Sequence, residues 1–495
     1  MHGFQVVLIG ILAVAGGDGH PSTGTNRPAV LMPGLGRHHH PVSTKSEQAQ
    51  RFFDQGLTLL FAFNHDHAVR SFRRAAELDP ELAMAQWGIA LALGPNYNLP
   101  EIEPDQAKTA YDALQKALAL SAAASAGERA YIEALAKRYS TAPDADHQKL
   151  ALDYKTAMGE VARQSPDDLD AATLYAESAM NLRPWKLWNA DGTPADGTEE
   201  IVAVLEAVLR RNPGHPGANH YYIHAVEASR TPERALPSAE RLADLVPGAG
   251  HLVHMPSHIY FRVGDYEAAA RANEKAIAVD RAFIKATGAT GVYPMMYLSH
   301  NIHFVAAARA MQGRFADAKK AADELAAHVG PHLQEMPMLE AWMPLPLEIL
   351  VYFRRWDEIL ALPRPAEGLA ITRALWHFSR AAALAARGSL ADAEKEQQEF
   401  VTAKAAIPPE ALFSETNKAP AVLDVVEKVL AARLALARNK TAEGIAIFRE
   451  AVEGEDTLSY GEPPDGFLRA RESLGGALLR AERFGEAEQV FRADL

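Results

Sequence analysis

Residues 47–80, EQAQRFFDQGLTLLFAFNHDHAVRSFRRAAELDP, carry Gly56, Ala68, Phe72, Ala75 and Pro80 in an order and spacing that recur along the chain. In a unit of about 34 residues these five stand at positions 8, 20, 24, 27 and 32. The physical content is a pair of antiparallel helices. Small side chains let the two backbones approach, the aromatic ring fills the seam, and proline stops the second helix. Gly264, Tyr266, Ala269 and Ala276 repeat the pattern in a unit that starts at Gly250, and Ala235 sets the start of the preceding unit at Pro216, one period earlier. Gly313, Phe315 and Ala318 belong to a unit that starts at Ser299, after the insertion RAFIKATGATGVYPMMYL. Trp356, Gly388, Phe448, Phe484, Ala487 and Phe491 mark further copies towards the C-terminus. One helix pair cannot bury its apolar face alone, so copies in series must stack. The constraint points to an all-α array, and the near absence of alternating Val, Ile and Thr agrees with it.

The register is similar to that of tetratricopeptide repeat (TPR) proteins. Together with PVST before it and HYYIHAVEAS, GHLVHMPSHIYFRVGDY, HNIHF and YGEPPD after it, the chain resembles a histidine-rich, often exported family of bacterial TPR proteins from about residue 38 onward. The resemblance implies a TPR-type α-solenoid, a right-handed superhelix of antiparallel helix pairs with a divergent insertion. It implies no particular reaction. The chain then divides into an N-terminal repeat at 47–93, divergent helices with a long loop at 94–200, where the register is lost, central repeats at 201–330 and C-terminal repeats at 331–495.

Histidines concentrate in the first helices of three successive units. His220, His224 and Glu227 fall at unit positions 5, 9 and 12, His251, His254 and His258 at 2, 5 and 9, and His300 and His303 at 2 and 5. Intervals of three and four put each set on one helix face. In TPR proteins these positions line the concave groove, so the resemblance implies that all eight side chains meet in one cavity. With 19 histidines in 495 residues, twelve such positions would hold about half a histidine by chance, against the seven found. The chain has no cysteine, so a metal must sit on imidazole and oxygen, and neutral imidazole suits copper, zinc, iron and nickel. The metal reading takes His220, His224, His251, His254, His258, His300 and His303 as ligands of one or two ions, with Glu227 as a further ligand or general base. Copper is the first choice, zinc or iron the next. A metal-dependent oxidoreductase acting on a small-molecule substrate follows, with a hydrolase second. The sequence leaves two alternatives open: a scaffold that binds a protein or peptide partner in the groove, and a site for metal storage or delivery.

A net charge of −13 without clustered Lys or Arg argues against nucleic acid as a partner. Residues 1–20 open with an apolar run and Ala13-Val14-Ala15, which reads as a signal peptide that lacks the usual basic residue. The run is too short for a spanning helix, so the mature chain is expected to be periplasmic or secreted, with no membrane span. Residues 21–46 read as an irregular lead-in with His38, His39 and His40 as a solvated triple. Asn64, His65 and His67 read as a turn cap or surface pair, His215 as loop structure and Trp87 as core. Asn96, Tyr97 and Tyr460–Pro464, with Arg469 and Arg471, are candidate substrate contacts at the two ends of the array.

Overall fold

The computed structural model describes residues 29–142, 144–414, 416–465 and 469–494. The stretch read as a signal peptide lies outside them. The described residues form an all-α array with no β-strands, only isolated bridges at Trp188–Pro194 and Leu412–Lys418. No helix among them is long and apolar enough to cross a membrane.

The first pair, Glu47–Phe61 and His65–Leu78, shows why the repeat residues recur. Phe72 is fully buried, and its ring fills the space left by Gly56 on the partner helix and Gly88 on the next one, Ala83–Leu93. A Cβ on either glycine would fall 2.7 or 2.5 Å from that ring. Antiparallel pairs follow to the C-terminus, ending with Ala470–Arg480 against Phe484–Asp494. The stretch 94–200, where the register fails, continues the same packing: Ala83–Leu93 pairs with Pro104–Leu120, and His147–Gln164 with Leu169–Met180. The long loop 181–197 is tied back by Trp188, whose indole N–H donates to the Ala225 carbonyl at 2.8 Å.

The lead-in is not a free tail. Met32 N–H donates to Gln55 Oε1 at 2.7 Å, Gly248 N–H donates to the Gly34 carbonyl at 2.7 Å, and Ser43 N–H donates to Glu128 at 2.6 Å. This strap joins the first repeat to the central ones. Contrary to the solvated triple expected from sequence, His38 and His40 pack inward while His39 stays exposed. The cause is Asp170, a buried carboxylate with three imidazoles around it: His40 Nδ1 hydrogen-bonds to it at 2.8 Å, and His38 Nε2 and His215 Nε2 lie 3.0 and 3.1 Å away. His215 also caps its helix, since its Nδ1 accepts the Ala218 N–H at 3.1 Å. That bond leaves the ring proton on Nε2, facing Asp170. The three imidazoles around Asp170 latch the strap onto the array.

Candidate metal centre

Three short helical segments carry the central histidines. Pro216–Val226 holds His220 and His224, with Glu227 just beyond it. Gly250–His254 and Pro256–Arg262 hold His251, His254 and His258 on one helix that Pro256 interrupts. Proline lacks the N–H that would continue the ladder, so the hydrogen-bonded run breaks at Met255 while its backbone stays helical. Leu298–Met311 holds His300 and His303 after a π-helical turn at Tyr293–Tyr297.

Six of the seven predicted histidines gather into two groups of three, and His303 does not. His220, His224 and His251 bring one ring nitrogen each within 4.8 Å of one another, and so do His254, His258 and His300. The groups adjoin: the rings of His224 and His258 lie 5.8 Å apart and those of His251 and His254 5.7 Å apart. His303 is half-buried, desolvation pushes its imidazole down to about 4, and it lies outside both groups.

Within the groups the outer nitrogens are tied off. His220 Nδ1 donates to the Phe61 carbonyl at 2.6 Å, and His224 Nδ1 donates to Glu227 Oε1 at 2.9 Å. His254 Nδ1 faces Asn273 Oδ1 at 2.6 Å. The Asn273 amide donates to the Ala269 carbonyl at 2.9 Å, which fixes its oxygen towards His254 and so places the proton on His254 Nδ1. His258 Nδ1 faces Glu227 Oε2 at 2.7 Å and Glu462 Oε2 at 3.3 Å. The Nε2 atoms consequently point inward, those of His220 and His251 3.1 Å apart and those of His254 and His258 2.9 Å apart, while His224 Nε2 has no partner. Each spacing is that of an N–H···N bond in which the Nε2–H of one ring donates to the lone pair of the other. Nitrogens about 2.0–2.1 Å from a tetrahedral ion lie about 3.3 Å from each other, slightly farther apart than these pairs.

Burial lowers the imidazoles of His220, His251, His254 and His300 well below their ordinary value, and neighbouring imidazoles add to the shift. These rings are neutral and ready to ligate near pH 7. Burial pushes the Glu227 carboxyl up, but His258 and His224 on its two oxygens outweigh that and hold it ionised. Burial would likewise lower His258, and the charge of Glu227 raises it instead. Glu462 is a second buried carboxyl on the same imidazole, raised by burial despite His258. Neither glutamate forms an ion pair with lysine or arginine among the described residues.

Glu462 comes from a loop that the sequence placed at the far end of the array. Asn417 pins that loop, its amide donating to the Ser459 carbonyl at 2.9 Å and to Asp465 at 2.7 Å, and the Tyr460 hydroxyl donates to Glu462. The array thus curls until its C-terminal part covers the central histidines. Tyr97, assigned to the opposite end, also arrives here, its ring 5.5 Å from His224. The histidines lie at the bottom of no open groove: His220, His224, His251, His254 and His258 are between 0 and 5 % exposed. Arg469 and Arg471 are engaged with Glu472 and Asp456 instead. His65, expected on the surface, is largely enclosed against Phe63, 5.8 Å away. The sequence reading missed Asn273, Phe61 and the role of Glu462; only the unusual YGEPPD run signalled any of them.

Fold and site together define a helical-repeat protein with a buried cluster of histidine and glutamate at its centre. No protein-family model and no curated protein sequence matches the chain. Solved structures that align with it include yeast Tom70, at 12% identity over 88% of this chain and 90% of that one, with a TM-score of 0.35. A tetratricopeptide repeat protein from Parabacteroides merdae aligns at 13% identity over 71% and 99%, with a TM-score of 0.36. Human IFIT1 aligns at 15% identity over 91% and 87%, with a TM-score of 0.38.

Proposed function

We infer that this chain is a metalloprotein whose two three-histidine groups form a dinuclear centre. The observation that carries the reading is the convergence of Nε2 atoms from adjoining groups whose Nδ1 atoms are, in four of the six rings, held by a carbonyl, an amide or a carboxylate. This is the outer arrangement that fixes ring orientation and tautomer in metal sites. His220, His224 and His251 hold one ion and His254, His258 and His300 the other. Glu227 sits behind both, orienting His224 and His258, and its grouping with His258 and Glu462 is consistent with the ligand or base role expected from sequence.

An all-imidazole set suits copper first, with zinc and iron next. Two adjacent ions of a one-electron metal suit a two-electron oxidation or reduction of a small molecule. Two zinc ions would instead support hydrolysis. The second reading, a scaffold for a protein partner, rests on the helix-pair architecture, and its partner would contact a surface other than the buried histidines.

Elemental analysis of untagged protein tests the inference. About two transition-metal ions per chain are expected. Protein that carries none and regains none on reconstitution with copper, zinc or iron sinks the reading, and tight peptide binding by such metal-free protein supports the scaffold.

A further inference from the structure

The strap closes on a second group of ligating side chains, outside the central histidines. A cavity of about 1120 Å³ opens beside residues 34–41, and His38, His40, Tyr131, Asp168, Asp170 and His215 all line it. His40, Asp168 and Asp170 each bring one ligand atom within 4.8 Å of the others, as the members of the two central groups do. An imidazole and two carboxylates gathered at that range beside a cavity are the parts of a cation site.

Other contacts hold each of the three in place. His40 is fixed through its backbone, whose N–H donates to Asp54 Oδ1 at 3.1 Å and whose carbonyl accepts from the Gln50 amide at 2.8 Å. Its Nδ1 lies 2.8 Å from Asp170 Oδ2, and its ring packs edge-on against that of Tyr131, 5.7 Å away. Asp168 caps the helix Leu169–Met180, its Oδ1 accepting from the N–H groups of Asp170 and Ala171 at 3.1 Å each. Its Oδ2 accepts from the Tyr131 hydroxyl at 2.8 Å. Asp170 stands in the first turn of the same helix, where the N-terminal dipole favours the ionised carboxylate that a metal needs.

Asp170 has capacity for a further partner. It is 7 % exposed, and no aligned hydrogen bond reaches its Oδ1 although His38 Nε2 and His215 Nε2 stand 3.0 and 3.1 Å away. Native proteins leave few buried carboxylate oxygens in that condition. Neither Asp168 nor Asp170 forms an ion pair with lysine or arginine among the described residues, so the basic groups beside Asp170 are imidazoles, which a metal can use.

We propose that His40 Nδ1 and the carboxylates of Asp168 and Asp170 bind one divalent metal ion, manganese by first choice. The ion takes the place of the proton between His40 Nδ1 and Asp170, and that proton leaves to solvent. Two carboxylates and one imidazole make an oxygen-rich set, which suits manganese, whereas the all-imidazole central groups suit copper. Three protein ligands leave positions open towards the cavity, where water or an oxygen atom of a small molecule completes the shell. The ion also ties the strap, through His40, to the helix that carries both carboxylates. The site is independent of the central metal reading.

Titration of the full chain with manganese(II), with the free ion followed by electron paramagnetic resonance, tests it. About one ion per chain is expected to bind, equally in the unaltered chain and in the His254→Ala, His258→Ala variant, and hydrogen exchange in residues 29–46 should slow as it binds. His40→Gln and Asp170→Asn should each weaken binding by about tenfold or more. His39→Ala, at the exposed member of the triple, should leave it unchanged. Should Asp170→Asn fail to fold, His40→Gln carries the test, because glutamine keeps a donor for Asp170. If no manganese binds, if either strap-site variant binds like the unaltered chain, or if binding is lost with His254 and His258, the strap is closed by hydrogen bonds alone and the proposal is overturned.

Discussion

Glu462 Oε2 lies 3.3 Å from His258 Nδ1 although the two residues are 204 positions apart. The contact ties the C-terminal part of the array to its middle and gives His258 a second carboxylate. Removing it should be felt by one metal group only. Glu462→Ala is expected to weaken the ion at His254, His258 and His300 by about tenfold or more while sparing the other. Competition with a chromophoric chelator measures both affinities, and equal loss at the two sites would contradict the assignment.

The two groups should empty separately. His254→Ala with His258→Ala is expected to reduce metal from about two ions per chain to about one, and His220→Ala with His251→Ala to do the same. His303→Ala should leave the content unchanged, since that ring stands apart from both groups. Elemental analysis after gel filtration decides between these outcomes and a single shared ion.

Glu227 touches both groups through one carboxylate, Oε1 on His224 and Oε2 on His258. Glu227→Gln keeps the shape and removes the charge. It should lower affinity at both sites by about ten- to a hundredfold. A loss confined to one site would mean that Glu227 orients only one of the two imidazoles.

The strap should be held most firmly in mildly acidic solution. Burial lowers the His40 imidazole, but Asp170, Asp168 and Asp54 around it raise it above its ordinary value. A raised histidine contributes stability that is fully present below about pH 6.5 and is lost as pH rises through the folded value. Asp170 is depressed well below its ordinary value, because the bonds from His215, His38 and His40 outweigh burial. Its contribution is present above about pH 3.9 and is lost as pH falls through the folded value. The protection of residues 29–46 from hydrogen exchange, relative to the intrinsic rate at each pH, should therefore fall between pH 6 and pH 9, and His40→Gln should flatten that dependence. Asp170→Asn should cost about 1–3 kcal/mol in chemical denaturation near pH 6.

Gly88→Ala should destabilise the first repeat despite the better helix propensity of alanine. The added Cβ meets the buried Phe72 ring at 2.5 Å, and overpacking of this kind costs about 1–3 kcal/mol. Gly264→Ala provides the contrast: its neighbourhood is open, and any cost there comes from φ of +81° alone.

Much of this was legible in order along the chain. Gly56, Phe72 and Pro80 announce a helix pair because the contacts they make lie within one unit and its neighbour, a range over which sequence spacing and spatial distance track each other. The same locality put His254 and His258, four residues apart, in contact through their Nε2 atoms. Through 94–200 the landmarks vanish while the pairs persist, since helix packing accepts many small and apolar combinations and the spacing of a few residues is only one of them.

The chain by itself determined the all-α array and the gathering of histidines on consecutive helices. Tertiary structure decided the grouping: His251, only three residues before His254, belongs with His220 and His224 from the preceding unit. It also decided that Glu462 reaches His258, that Tyr97 reaches His224, and that His38 and His40 close on Asp170. Those contacts depend on how far the stacked pairs curl, which is the sum of many small rotations between neighbours. No local spacing records that sum, so side chains hundreds of residues apart meet only once the array has closed.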